Sequence, residues 1–172
     1  MLWSRRLVLL FAGTLLAGPG CGFEPLYGGG ERNPTVAELN RVEIGRISDR
    51  VGQELRNNLI DRMSTDPTGA PALYYLSAEI SQSRSALAIQ FDDSITRYNL
   101  AMIANIVLSD LATGQVIYQN DVRATGSYNV VGSDYATLVS EQDAEKRAAR
   151  EISDEIVTLI SVFFSRRSDA DR

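Results

Sequence analysis

Hydrophobic and polar residues alternate with a period of two through the middle of the chain, from Ala72 to Val131. Successive side chains of a strand point to opposite faces, so this period is typical of strands buried on one face. Turn-forming residues at 92–94 and 112–114 divide the region into three long runs and predict consecutive antiparallel hairpins. Gly126 predicts a bulge or bend in the last run. The clearest alternation is Tyr98, Leu100, Met102, Ala104, Ile106 and Leu108.

Other segments show a different spacing. A short alternation over residues 39–47 predicts a first strand. Apolar residues four apart then predict a helix from about 49 to 64, in which Gly52 permits a close backbone approach. A second helix is predicted from about 132 to 165. The order strand, helix, three strands, helix predicts an α+β fold, a two-layer sandwich with two helices on one face of a mostly antiparallel four-stranded sheet. The helical apolar positions are Val51, Leu55, Leu59 and Met63 in the first helix, and Ala149, Ile152, Ile156, Leu159 and Phe163 in the second.

The final turns of the second helix are apolar nearly all round, so Val157 and Phe164 point away from the main buried stripe. Two interpretations remain open for these side chains. They either pack on the first helix or form a docking patch for a partner protein. Residues 166–172 are expected to form a flexible tail.

The start of the chain has the pattern of an export signal. Arg5 and Arg6 precede an apolar run over residues 7–17, and small residues lead to Cys21. These are the three parts of a secretory signal peptide, and the apolar run is too short to span a bilayer comfortably. We therefore expect residues 1–20 to be removed, and residues 39–165 to form a single periplasmic domain.

Cys21 is the single cysteine of the chain, so no internal disulfide is possible. A cysteine directly after an export signal is typical of bacterial lipoproteins, in which the thiol is acylated and holds the protein on a membrane. The alternative is an unmodified cysteine near an ordinary cleavage site. Glycine and proline are dense after it, so residues 21–38 are predicted to be a lipidated N-terminus and tether.

Charge and composition exclude several functions. Without residues 1–20, the chain has 15 basic and 22 acidic residues, which gives a net charge of 15 − 22 = −7. Such an acidic chain is unsuited to general nucleic-acid binding. The chain has no histidine and one lysine, Lys146, within a charged helical run. The adjacent acids Asp92 and Asp93 fit a solvated turn better than a catalytic pair. We therefore predict no catalytic residues, no metal site, no cofactor and no enzyme activity.

The segment from Cys21 to Gly28, Cys-Gly-Phe-Glu-Pro-Leu-Tyr-Gly, resembles the start of the mature protein in the lipopolysaccharide-assembly lipoprotein family LptE. The order of elements is also similar to that family, whose fold has two helices against a four-stranded sheet. The resemblance implies a non-enzymatic outer-membrane lipoprotein that lies inside the β-barrel LptD as a plug, assists the assembly of the barrel and binds lipopolysaccharide (LPS). Its domain would face the periplasm and the barrel lumen.

Within this resemblance, Arg97 and Arg123 are candidates for contacts with LPS phosphates, because arginine pairs bidentately with phosphate. The alternative is that both form surface pairs with acids. Other functions also remain open. The alternatives are an accessory lipoprotein of another envelope lipid transporter, a pilotin that guides a secretin, and a lipid-carrying protein with an apolar cavity.

Overall fold

The computed structural model describes residues 34–64, 71–89 and 95–170. These residues form three helices and a four-stranded sheet. In chain order the elements are α1 (Pro34–Leu39), β1 (Val42–Ile44), α2 (Asp49–Met63), β2 (Tyr74–Ile89), β3 (Ile95–Asp110), β4 (Val116–Asn129) and α3 (Asp134–Ala170).

The sheet confirms the predicted hairpins. Its strand order is β1-β2-β3-β4, and both β2–β3 and β3–β4 are antiparallel. The short β1 lies at one edge and pairs in parallel with the first residues of β2, Val42 with Tyr74 and Ile44 with Leu76. The helices pack on the sheet, so the predicted α+β fold is confirmed. A third, short helix is added to the predicted pair.

The core lies between the helices and the alternating apolar residues of the strands. Leu55 and Leu59 of α2 and Ile152 and Ile156 of α3 are fully buried there. At the start of α2, Gly52 packs directly against Ile47: a Cβ on Gly52 would lie 2.7 Å from the Ile47 side chain and 3.0 Å from its backbone carbon. The predicted close approach at Gly52 is therefore confirmed.

The two long helices differ in how much of the sheet they cover. Ion pairs join Arg50 to Glu145 and Arg62 to Asp154, so α2 runs alongside the middle of α3 in the same direction. The residues of α3 before Glu145 extend beyond the start of α2. We call this end of the sheet, where α3 begins, the far end, and the end that carries β1 the near end.

Several details differ from the sequence predictions. The last residues of the segment predicted as a tether, 34–38, belong to α1, which ends at Leu39. The last helix continues to Ala170 instead of ending near residue 165. The prediction of a bulge at Gly126 was wrong, because Gly126 pairs in register with Leu100; the irregularities lie between Leu108 and Ser109, and near the end of β2. Gly126 instead lies against the backbone of Ala144 on α3.

Candidate functional surface

The three long strands turn one face away from the helices, and we call it the open face. Small polar side chains dominate it, and the register places them in rows across the sheet, for example Ser83 beside Ala101 and Ala101 beside Thr125. The face is therefore polar over most of its length. Its residues include Ser77, Glu79, Ser81, Ser83 and Ser85 of β2, Arg97, Asn99, Ala101, Ile103, Asn105 and Val107 of β3, and Gln119, Asp121, Arg123, Thr125, Ser127 and Asn129 of β4.

Polar side chains on the open face bind one another across the strands. The Asn105 amide donates a hydrogen bond to the Asp121 carboxylate at 2.6 Å. Near the far end, Nε of Arg97 donates to Oδ1 of its cross-strand neighbour Asn129 at 3.1 Å. Neither contact buries a charge, so these groups keep access to solvent and to a partner.

Both arginines predicted to contact LPS lie exposed on the open face. Arg123 stands opposite Ile103 and shows no hydrogen bond or ion pair with another described residue, whereas Arg97 is held by Asn129. Six residues of strand separate the two positions, which is about 20 Å at the usual rise. The structure therefore does not bring them together, and one phosphate group cannot reach both.

The apolar residues proposed for docking, Val157 and Phe164, are 7% and 2% exposed. Phe164 packs on Tyr74 of β2 with ring centroids 5.0 Å apart. The buried positions of α3 recur every four residues, from Ala144 and Ala148 to Phe164, so the buried stripe drifts around the helix because four residues exceed one turn of 3.6 residues. Both side chains are covered by the domain itself and form no exposed patch.

A different apolar patch is exposed at the far end. Val131, Tyr135, Leu138 and Val139 are 45%, 76%, 50% and 45% exposed. The patch is held in place, because Oγ1 of Thr137 accepts a hydrogen bond from the Val131 N–H at 3.1 Å and donates one to its carbonyl at 3.3 Å. This patch was not predicted from the sequence. The spacing of Tyr135, Leu138 and Val139 at i, i+3 and i+4, which places them on one side of α3, is the signal that could have indicated it.

A small polar pocket of about 200 Å³ lies at the near end. Burial raises the pKa of the Tyr74 hydroxyl, and its hydrogen bond with the Glu38 carboxylate raises this pKa further. Backbone hydrogen bonds from Thr113 and Ala112 lower the pKa of the Asp110 carboxyl in the neighbouring turn. The contact between Tyr74 and Glu38 joins α1 to β2. The lining residues are Glu38, Tyr74, Phe164, Arg167 and Ser168.

Metal and membrane-spanning features are not seen in the part of the chain that the structure describes. Residues 34–64, 71–89 and 95–170 contain no group of three or more potential metal ligands. Among the same residues, no helix has the length and apolar character needed to span a membrane. The predicted lipidation at Cys21 and the predicted signal at residues 1–20 lie outside the described residues.

Solved structures with the same architecture define the class of fold. A lipoprotein candidate from Caulobacter crescentus is 24% identical, covers 76% of this chain and 96% of its own, and has a TM-score of 0.65. The rare lipoprotein B of Shewanella oneidensis is 13% identical, with coverage of 76% and 98% and a TM-score of 0.55. A minor lipoprotein of Acinetobacter baumannii is 15% identical, with coverage of 72% and 92% and a TM-score of 0.56. The chain thus has the fold of these small bacterial lipoproteins.

Sequence comparison identifies the family. The family model LptE, lipopolysaccharide-assembly, matches residues 36–160, which is most of the chain. The chain therefore belongs to the LptE lipopolysaccharide-assembly family. The resemblance of residues 21–28 to the mature start of that family predicted this membership. A Rickettsia prowazekii (strain Madrid E) protein of uncharacterised function is 22% identical over 147 residues, which cover 86% of this chain and 90% of that protein.

Proposed function

We propose that this protein is a non-enzymatic outer-membrane lipoprotein that plugs an LptD-type β-barrel, supports the assembly of the barrel and assists the insertion of LPS into the outer leaflet. Membership of the LptE family supports the general role in LPS assembly. The observation that carries the barrel contact is the open face, a long polar surface that none of the described helices covers.

The chemistry of the open face matches the inside of a barrel. The interiors of outer-membrane barrels are polar, while their apolar residues point outward to lipid. Serine, threonine and asparagine side chains exchange hydrogen bonds with water and with polar walls at little cost, because they are small and lose little side-chain entropy. A polar face of this kind suits a polar wall better than an apolar partner surface.

In this proposal the arginines of the open face contact LPS separately. Arg123, which has no partner among the described residues, is the stronger candidate for a phosphate contact. Arg97 would first have to leave Asn129. We therefore expect Arg123→Gln to weaken LPS binding more than Arg97→Gln. Equal loss in both variants would contradict this order.

The lipid anchor is the second part of the proposal. Acylation of Cys21 would hold the domain on the inner leaflet of the outer membrane, and several acyl chains anchor firmly where one is marginal. Mass spectrometry of the mature N-terminus should show an acylated Cys21 as the first residue. A mature protein that begins elsewhere with an unmodified terminus would refute the lipoprotein part.

Depletion of the protein tests the role in the cell. Surface LPS should fall and the barrel subunit should accumulate in a misassembled form, because the plug is absent while the barrel closes. Normal barrel levels with normal LPS export would contradict the proposal. Recovery of a different envelope transporter or a secretin with the protein would favour the alternative functions over the plug.

A further inference from the structure

Four exposed apolar side chains lie together at the near end of the open face. The register pairs Tyr75 with Ser109 and Ser109 with Val116, so these residues form one row across the sheet. Beyond this row, the Leu111 N–H donates a hydrogen bond to the Leu73 carbonyl at 2.8 Å. Leu73, Tyr75, Leu111 and Val116 are all exposed. We call these four side chains the near-end rim.

The near-end rim is held in a defined position by the sheet and by the turn that follows β3. The Tyr75 hydroxyl lies over Gly45, so closely that a Cβ on this glycine would collide with it. In the turn, the Asp110 carboxylate accepts hydrogen bonds from the N–H groups of Ala112 and Thr113, each at 2.9 Å. The rim is therefore a preformed apolar surface, and a partner would lose little conformational entropy in binding it.

The N-terminal segment joins the domain at this same end. The Arg41 carbonyl, which precedes β1, accepts a hydrogen bond from the Leu73 N–H at 2.9 Å. α1 is only about 9 Å long, so its first residue, Pro34, also lies near this end. Residues 22–33 separate Pro34 from Cys21 and can reach at most about 45 Å. An anchor at Cys21 therefore keeps the near end within this distance of the membrane. Because β3 spans about 50 Å, the far end can be about twice as far away.

The chemistry of the near end suits a phospholipid surface. Tyr75 combines an apolar ring with a polar hydroxyl, and tyrosine is enriched where membranes meet water. Arg166 and Arg167 are exposed in the last turns of α3, and Arg167 lines the pocket beside Tyr74, which places this charge at the near end. Basic side chains are attracted to the phosphates of anionic lipids. Apolar and basic groups thus lie together at the end that the anchor holds near the membrane.

We propose that the near-end rim contacts the phospholipid surface in which Cys21 is anchored, and that this contact orients the free lipoprotein with its near end on the membrane. The inference rests on the acylation of Cys21 in the proposed function. Apolar area that enters the head-group region adds to the membrane affinity of the acyl chains. The contact forms before the domain meets a barrel, and it leaves the polar part of the open face around Ser83 and Thr125 free for the barrel wall.

Fluorescence quenching in vesicles tests this orientation. The acylated lipoprotein is reconstituted in vesicles of phosphatidylethanolamine and phosphatidylglycerol that carry a nitroxide quencher on their head groups. A fluorophore is attached at Ala112→Cys, beside the rim, or at Gly132→Cys, an exposed far-end position with nothing within 4 Å of its Cβ site. The acylated Cys21 thiol does not take the label. The lipid should quench the probe at residue 112 about threefold more strongly than the probe at residue 132. Equal or stronger quenching at residue 132 would overturn the proposal.

A matched pair of substitutions tests the rim itself. Leu111 in the rim and Leu138 in the apolar patch at the far end are 47% and 50% exposed. Leu111→Ser should lower the quenching of the probe at residue 112 about twofold, because it removes apolar area from the lipid contact. Leu138→Ser should leave this quenching unchanged. Equal effects of the two substitutions, or no effect of Leu111→Ser, would refute a contact through the rim.

The mature chain with Cys21→Ser separates the rim contact from the anchor. It has no other cysteine, so the label attaches only at residue 112. At high lipid concentration its probe should still be quenched, and Leu111→Ser should weaken this partition about threefold. If Cys21 is found unmodified while this partition holds, the anchor is refuted and the rim contact is supported. If Cys21 is acylated but neither protein shows quenching that depends on Leu111, the rim contact is refuted and the anchor stands.

Discussion

The near and far halves of the sheet have the same strands but different surroundings. At the near end, α1, α2, β1 and the last turns of α3 enclose the large core that contains Leu55, Leu59 and Met63. At the far end, a small separate cluster of Leu100, Tyr128 and Ala144 lies beneath the first turns of α3. Burial is thus concentrated at the near end, while the exposed apolar patch lies at the far end. The near half therefore contributes most of the buried apolar area that stabilises the fold.

The largest expected effect compares one fully buried leucine from each half. Leu55→Ala should lower the free energy of unfolding by about 4 kcal/mol, because the enclosed near core cannot collapse around the cavity. Leu100→Ala should cost about 2 kcal/mol, because its smaller cluster has room to relax. Denaturant titration measures both losses of unfolding free energy, compared at the same m-value for the two variants. Equal costs would show that the two halves are equally rigid.

A smaller effect is expected at the contact between α2 and Ile47. Alanine is a better helix former than glycine by about 1 kcal/mol. Gly52→Ala should nevertheless destabilise the fold by about 1–2 kcal/mol, since the new Cβ would lie 3.0 Å from the Ile47 backbone carbon. Gly132→Ala, at the far end, is the control, because nothing lies within 4 Å of its Cβ position. Thermal unfolding should leave the control unchanged, and a stabilised Gly52→Ala would contradict the tight contact.

The smallest effect concerns pH at the near end. The pKa of Tyr74 is raised in the folded chain, so folding favours the protonated hydroxyl. The resulting stability is present below the ordinary tyrosine pKa of about 10 and is lost as pH rises through the folded value. The free energy of unfolding should fall more steeply above pH 10 in the unsubstituted chain than in Tyr74→Phe. Parallel pH profiles for the two proteins would refute this assignment.

Local patterns were enough to predict most of the elements. The alternation around Leu100 and Met102 predicted β3, and the four-residue spacing from Val51 to Met63 predicted α2, because each pattern directly reflects which face is buried. The alternation also accounts for the exposed positions of Arg97 and Arg123, because each alternates with buried residues along its strand.

Features that depend on packing between elements could not be predicted in this way. Phe164 is buried because it packs on Tyr74 of β2, a contact between residues far apart in the chain, and Val157 joins the same core. The Arg50–Glu145 contact marks the level at which α2 lies beside α3, and these residues are far apart in the chain. At that level the first turns of α3, with the far-end patch, extend beyond the start of α2. The exposure of the patch could therefore not be predicted from spacing within one element.

Site-specific photocrosslinking in cells tests whether the open face contacts a barrel. A photoreactive side chain at Thr125 on the open face is compared with one at Thr158, which is exposed on the outer side of α3. We expect Thr125 to crosslink to an LptD-type barrel protein and to give a stronger barrel adduct than Thr158. Crosslinks from Thr125 to a secretin or another transporter, with no barrel adduct, would contradict it.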